Sequence, residues 1–212
     1  DTASATEVSA VANPTGFDPL SVDVSDLKTI TGAADAVLAT YGLGNISAGN
    51  LGDETIELTE AGNSIAADKL LSVVNLVKTS AGGVDASSIT TISGVFADVD
   101  AVVSAVDGDL ATNAGYAVAI TDNVADAGAD KLKAMVDDTT GTKDFSTVAK
   151  VTGSVDDILA IVRDGQTTLK AGVEFKATDA GTAAEIGEIK AATSGIVEAT
   201  VSDKDMTTLL DA

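Results

Sequence analysis

The chain of 212 residues contains no cysteine, no histidine and no tryptophan. Without cysteine it has no disulfides and no thiol nucleophiles. Without histidine it lacks the commonest general base, and the two absences together remove the usual ligands of zinc, copper and iron. The lack of cysteine fits an extracellular bacterial protein that dispenses with disulfides. Carboxylates remain as the main candidates for chemistry.

Aromatic side chains and long apolar runs are also scarce. Aromatic residues make up 3% of the chain and hydrophobic residues 45%, so the core must consist of Ala, Val, Ile and Leu in thin layers. No apolar run reaches the roughly 18 residues of a membrane-spanning helix. The chain begins Asp1-Thr2-Ala3, without an initiator methionine or a basic region. We therefore expect a mature, processed or excised segment.

Basic residues are few as well. The chain has 12 of them against 33 acidic residues, which gives a formal net charge of −21. So acidic a chain repels phosphate backbones, which argues against nucleic acid as a partner. It should stay soluble at high ionic strength, where screening reduces its self-repulsion.

What the sequence does contain is an internal repeat. The tripeptide Ile30-Thr31-Gly32 recurs as Ile92-Ser93-Gly94 and as Val151-Thr152-Gly153. Internal periodicity of this kind is typical of repeat architectures. We predict an N-terminal segment with a partial-repeat helix over residues 1–19. An array of about three degenerate repeats of roughly 60 residues is predicted over residues 20–212.

Period-two alternation and β-branched residues predict short strands within each repeat. The predicted strands lie at 55–59, 117–121 and 172–176, with shorter extended pieces at 21–24, 83–86, 142–145 and 196–199. Helical stripes follow the strands. One consists of Leu70, Val73, Val74 and Val77, and another is plainest in Phe96, Val99, Val102, Val103 and Val106. We expect these helices to end in left-handed caps at Gly82, Gly141 and Gly195.

Strand starts recur roughly every 25 to 33 residues, and strand–helix–strand units of this length require parallel pairing through right-handed crossovers. Two α/β architectures satisfy this requirement. One is a repeat solenoid of short parallel strands alternating with short helices, and the other is a compact doubly wound α/β domain. The recurrence of near-identical half-repeats and the short strands favour the solenoid.

The two ends of the chain read as complementary halves of one repeat. Residues 5–12 have the pattern of a helix, whereas residues 207–212 stop where a helix should begin. We expect either a slice of a longer array or subunits that continue one another head to tail. Such a contact produces open filaments when its rotation does not close. The residues predicted at the self-assembly interface are Val8, Val11, Met206, Leu209 and Leu210.

Three segments carry a resemblance to known proteins: Gly52–Thr59, Ser64–Leu71 and Val84–Gly94. They resemble the tandem repeats of giant secreted surface or adhesin-like proteins of cyanobacteria and other marine or soil bacteria. The resemblance covers roughly residues 20–212 and implies an extracellular, type I-secreted structural or adhesive array. Such proteins often carry calcium-binding Gly-Gly-x-Gly-x-Asp nonapeptides. Residues 81–85 come nearest to that motif but lack its third glycine.

Two carboxylate pairs are candidates for a calcium site. Asp107 and Asp109 flank a glycine in a predicted turn, although a solvated turn accounts for the same residues. Asp137 and Asp138 lie near a predicted helix C-terminus, where negative charge is unfavourable. By contrast, Asp156-Asp157 at a helix start complements the helix dipole and needs no ligand. We expect no cofactor other than calcium.

Enzymatic chemistry has little support in the sequence. A serine nucleophile would lack a histidine base, glycine-rich phosphate loops are missing, and aromatic platforms for sugars are almost absent. Lys69 and Lys131, which recur with the repeat, are expected to pair with acidic side chains across the helix surface. We therefore expect a non-enzymatic protein.

The leading functional hypothesis is an extracellular structural protein that forms a fibre or surface layer with itself as its partner. One alternative is the stalk or ligand-binding module of a secreted adhesin, with a cell-surface glycan as partner. A second alternative is a phage fibre or decoration protein, which would assemble by rotational symmetry. None of these hypotheses involves membrane insertion.

Overall fold

A computed structural model describes residues 1–12, 23–24, 26–43, 51, 53–77, 82–106 and 108–202. Contacts divide the chain into two units. Unit 1 comprises residues 1–93 and 104–116, and unit 2 comprises residues 94–103 and 117–212.

Unit 1 alternates short strands with short helices. Its elements are β1 (Thr2–Ser4), α1 (Ala5–Ala12), β2 (Thr29–Gly32), α2 (Ala34–Tyr41), β3 (Thr55–Leu58), β4 (Ser64–Ala66), α3 (Ala67–Val77), β5 (Val84–Ala86), most of β6 (Thr91–Gly94) and β7 (Leu110–Thr112). Its main sheet has the order β1-β2-β3-β5-β7 with every pairing parallel, and β4 and β6 form a further parallel pair. Each strand of the main sheet pairs with the next strand of that sheet along the chain, as for Thr29 with Thr55 and Ile56 with Val84. The number of residues between two such partners is the pairing period of the fold.

Unit 2 repeats this alternation. Its elements are α4 (Phe96–Val103), β8 (Ala117–Ile120), β9 (Ala127–Gly128), α5 (Ala129–Asp138), β10 (Lys143–Phe145), β11 (Lys150–Gly153), α6 (Val155–Arg163), β12 (Thr167–Leu169), β13 (Glu174–Gly181), α7 (Ala183–Ala191) and β14 (Val197–Val201). Strands β8-β10-β12 and β9-β11-β13-β14 are paired in these orders, again in parallel. The pairing period is slightly shorter at the end of this unit, where Phe175 pairs with Val197, than at its start, where Val118 pairs with Lys143.

The alternation of apolar and polar residues predicted from the sequence corresponds to the side chains that are buried in the core. In β3 the side chains of Ile56 and Leu58 are buried, whereas that of Glu57 is exposed. The predicted helical stripe is buried too, and in α3 it consists of Leu70, Val73, Val74 and Val77. An α/β fold in which parallel strands alternate with helices is therefore confirmed. At this level the arrangement also fits the doubly wound alternative.

The glycines expected to cap helices have another role, so that prediction is wrong. Neither Gly82 nor Gly195 is among the described glycines with positive φ, and α5 ends before Gly141 is reached. A β-carbon on Gly82 would lie 2.2 Å from the carbonyl oxygen of Glu54, and one on Gly195 would lie 2.3 Å from that of Val173. These two glycines are required by the close approach of another backbone segment.

The pairing period differs from the sequence repeat. Ile30 pairs with Ile56 and not with Ile92, which is its counterpart in the next copy of the tripeptide. The Ile-Thr-Gly-type tripeptides end β2, β6 and β11, and α2, α4 and α6 each begin after one further residue. The repeat of roughly 60 residues therefore marks a recurring strand-to-helix junction, and one such repeat covers more than two pairing periods.

Candidate functional site

Three acidic side chains cap the helices that follow the Ile-Thr-Gly junctions. The pairs are Ala34 N–H with Glu60 Oε1 at 2.6 Å, Phe96 N–H with Asp122 Oδ1 at 2.8 Å, and Val155 N–H with Asp179 Oδ1 at 2.8 Å. Each carboxylate satisfies an N–H that has no partner within its own helix and complements the helix dipole. Each lies 24 to 26 residues beyond the residue it caps. This spacing is one pairing period, so the caps tie successive strand–helix layers together.

Sequence reasoning missed these caps, although their signal is present. The acidic residues recur at one pairing period after the first helical residue, but the longer repeat of the tripeptides conceals that shorter spacing. As helix caps, the carboxylates of Glu60, Asp122 and Asp179 have a structural role. Because they are engaged by backbone amides, they are poorly placed to act on a ligand.

Local capping boxes begin other helices. At α7 the Thr182 N–H donates to Glu185 Oε2 at 2.8 Å, and the Glu185 N–H donates to Thr182 Oγ1 at 3.3 Å. Ser4 and Glu7 form the same reciprocal bonds at α1. The hydrogen bond from the backbone of Ser4 lowers the pKa of Glu7, and that from Thr182 lowers the pKa of Glu185. As predicted, Asp157 lies in the first turn of α6, where its N–H donates to Ser154 Oγ.

Ion pairs link neighbouring helices. Lys69 on α3 contacts Asp35 on α2 at 2.8 Å, Lys131 on α5 contacts Asp100 on α4, and Arg163 on α6 makes two hydrogen bonds of 2.7 and 2.8 Å to Glu188 on α7. Lys69 and Lys131 pair with acidic side chains as predicted, but each partner lies on the neighbouring helix and not on the surface of the lysine's own helix. The hydrogen bond to Asp35 raises the pKa of Lys69. These cations therefore serve to hold helices side by side.

Two polar pairs each have one buried member, Lys143 in unit 2 and Glu54 in unit 1. In unit 2, Lys143 is 2% exposed and its Nζ lies 3.2 Å from Asp164 Oδ2. Burial opposes the charge on Asp164, but hydrogen bonds from Thr167 and Lys143 outweigh it, and the pKa of Asp164 lies below its usual value. In unit 1 the Tyr41 hydroxyl donates to the buried Glu54. Burial, followed by this bond to a carboxylate, strongly raises the pKa of Tyr41.

The candidate calcium ligands have other partners where the structure describes them. Asp107 is outside the described residues, and the backbone oxygen of Asp109 accepts the Val84 N–H at 2.7 Å. Asp137 pairs with Lys133 four residues earlier on α5, beside Asp138. Within the described ranges, no group of three or more acidic side chains is arranged to hold a metal ion. Calcium binding stays a prediction.

The self-assembly residues predicted near the N-terminus occupy two environments. Val8 is 7% exposed and packs with Ala12, whereas Val11 is 60% exposed on the same helix. Both line an open cavity of about 390 Å³ beside β1, together with Ala3 and Leu27. The cavity also has four acidic lining residues: Asp1, Glu7, Asp23 and Asp26. Val11 is thus available for contact, while Val8 supports its own unit.

The predicted interface residues Met206, Leu209 and Leu210 lie outside the described residues. Near them in sequence, β14 has a strand pattern that is half-buried at Val197, Ala199 and Val201 and exposed between. Ile196, which precedes β14, is 65% exposed. In contrast, the inward-facing positions of β2, β3 and β11 are fully buried. The apolar row of unit 2 is therefore incompletely covered at β14.

In the part of the chain that the structure describes, no helix is long and apolar enough to cross a membrane. No protein-family model matches the chain, and neither the curated proteins nor the solved structures show a significant match to it.

Proposed function

We propose that this chain is a non-enzymatic structural protein that assembles with itself, head to tail, into a fibre or surface layer. One observation carries the proposal. The exposed large apolar side chains of the described residues are Val11, Val95 and Ile196, and two of these three adjoin the outermost strands of their sheets, β1 and β14. Val11 also lines the open cavity beside β1 together with Ala3, Val8 and Leu27, and a contiguous exposed apolar surface of this kind is typical of protein–protein contacts.

We further propose that the strand–helix layers form a solenoid. In unit 1 the main sheet follows chain order, β1-β2-β3-β5-β7, with a nearly constant spacing along the chain between paired residues. A doubly wound sheet reverses its strand order at a switch point, and the order of this sheet runs in one direction. Solenoid repeats contact chiefly their neighbours and extend by addition at an end. That property suits a subunit which continues into the next copy.

A secreted bacterial surface array is the setting we propose for this assembly. The lack of cysteine and the high acidity are compatible with an extracellular location, and the three quoted segments resemble repeats of such proteins. Calcium could promote assembly by lowering the repulsion between acidic copies. A stalk of an adhesin would share these features but would remain monomeric.

The decisive experiment measures mass in solution. Sedimentation velocity of the purified chain over a range of concentrations, with and without calcium, should show species larger than a monomer that increase with concentration. Val11→Glu and Ile196→Glu should each abolish most of this growth, because a charge would be buried in the contact. Val95→Glu is the matched control, since Val95 is also an exposed apolar residue but adjoins α4 instead of an outermost strand.

The outcomes separate the hypotheses. A chain that stays monomeric at every concentration, with calcium or without it, would contradict the assembly proposal and favour the adhesin stalk. Equal effects of all three substitutions would mean that β1 and β14 have no special part in association. Circular dichroism of each variant confirms that the fold is retained.

A further inference from the structure

We draw no further inference here: the strongest candidate, the open cavity beside β1 that Val11 and Leu27 line together with four acidic residues, adjoins segments outside the described residues, and nothing in the structure shows what covers it.

Discussion

Units 1 and 2 are built from the same strand-to-helix junction but differ in the interactions that connect their layers. Among the described residues, unit 1 contains one ion pair, Lys69 with Asp35, whereas unit 2 contains six. The distribution of basic residues agrees with this difference, since three of the 12 basic residues belong to unit 1 and nine to unit 2. The junction, its cap and the buried alternation are therefore the shared requirements of the fold, and the ion pairs are local additions.

The outer faces of the sheets show the same contrast. In unit 1 Thr2, Thr29 and Thr55 are in register, so that neutral hydroxyl side chains follow one another from strand to strand. In unit 2 a corresponding position pairs Lys176 with Glu198 on the next strand at 3.3 Å. Cross-strand pairs of either kind contribute modestly, about 0.2–1 kcal/mol. Stability should thus depend on buried groups in both units and on charge mainly in unit 2.

The largest effect on stability is expected from breaking the ion pair between Lys143 and Asp164 in unit 2, in which Lys143 is buried. The described part of unit 1 has no ion pair with a buried member. Asp164→Asn removes the partner of Lys143, which is 2% exposed, and leaves its ammonium buried without a counter-charge. We expect the free energy of unfolding to fall by about 3 kcal/mol. The measurement is urea denaturation followed by circular dichroism, since the chain has no tryptophan for fluorescence.

Its control is Asp35→Asn in unit 1, where both members of the pair are exposed. That change should leave the denaturation midpoint nearly unaltered. Equal losses from the two substitutions would remove the distinction between buried and exposed pairs on which the comparison of the units depends.

The helix caps should have an intermediate effect that is alike in both units. Glu60→Ala removes the cap of α2 in unit 1, and Asp179→Ala removes that of α6 in unit 2. Each should lower the free energy of unfolding by about 1 kcal/mol, because a helix N-terminal N–H loses its acceptor. Amide hydrogen exchange measured by NMR should accelerate at Ala34 in the first variant and at Val155 in the second.

Exposed acidic residues on the same strands or their neighbours provide matched controls for the caps. Glu57→Ala on β3 and Glu174→Ala on β13 remove exposed carboxylates. Neither should alter exchange at the helix starts. A strong effect at one cap and none at the other would show that the junction is not the shared element of the two units.

Local strands and helices could be predicted from the sequence more reliably than the pairing of strands that are distant along the chain. The strand at 55–59 and the helical stripe from Leu70 to Val77 were predictable because alternation and helical periodicity lie within a few neighbouring residues. The caps by Glu60 and Asp179 were not, because each depends on which strand pairs with which. Gly195 was misread for the same reason, since the backbone that excludes a side chain there belongs to Gly172 and Val173, a pairing period earlier in the chain.

The predicted interface residues of α1 show the same limit of sequence-based prediction. Val11 lies on the apolar helix predicted near the N-terminus and is exposed, while its role in self-assembly stays a prediction. Its neighbour Val8 lies on the same helix but is buried, because burial depends on how α1 packs within unit 1. Sequence periodicity identifies the apolar face of a helix, whereas the part of that face left uncovered is decided by tertiary packing.

The smallest effect should come from the exposed ion pairs that distinguish unit 2. Arg163→Lys keeps the charge but replaces the two-bond contact with Glu188 by a single flexible one. The hydrogen bond from Arg163 lowers the pKa of Glu188, so the pair contributes above the usual pKa of a glutamate and loses its contribution as the pH falls below it. We expect a small drop in melting temperature at pH 7 and about 0.05 M salt, and none at about 1 M salt, where the screening length is about 3 Å. The matched control in unit 1 is Lys69→Arg, which should leave the melting temperature unchanged at both salt concentrations. A large, salt-independent loss on Arg163→Lys would show that the surface charges of unit 2 are essential to its fold, and the units would then differ in principle rather than in detail.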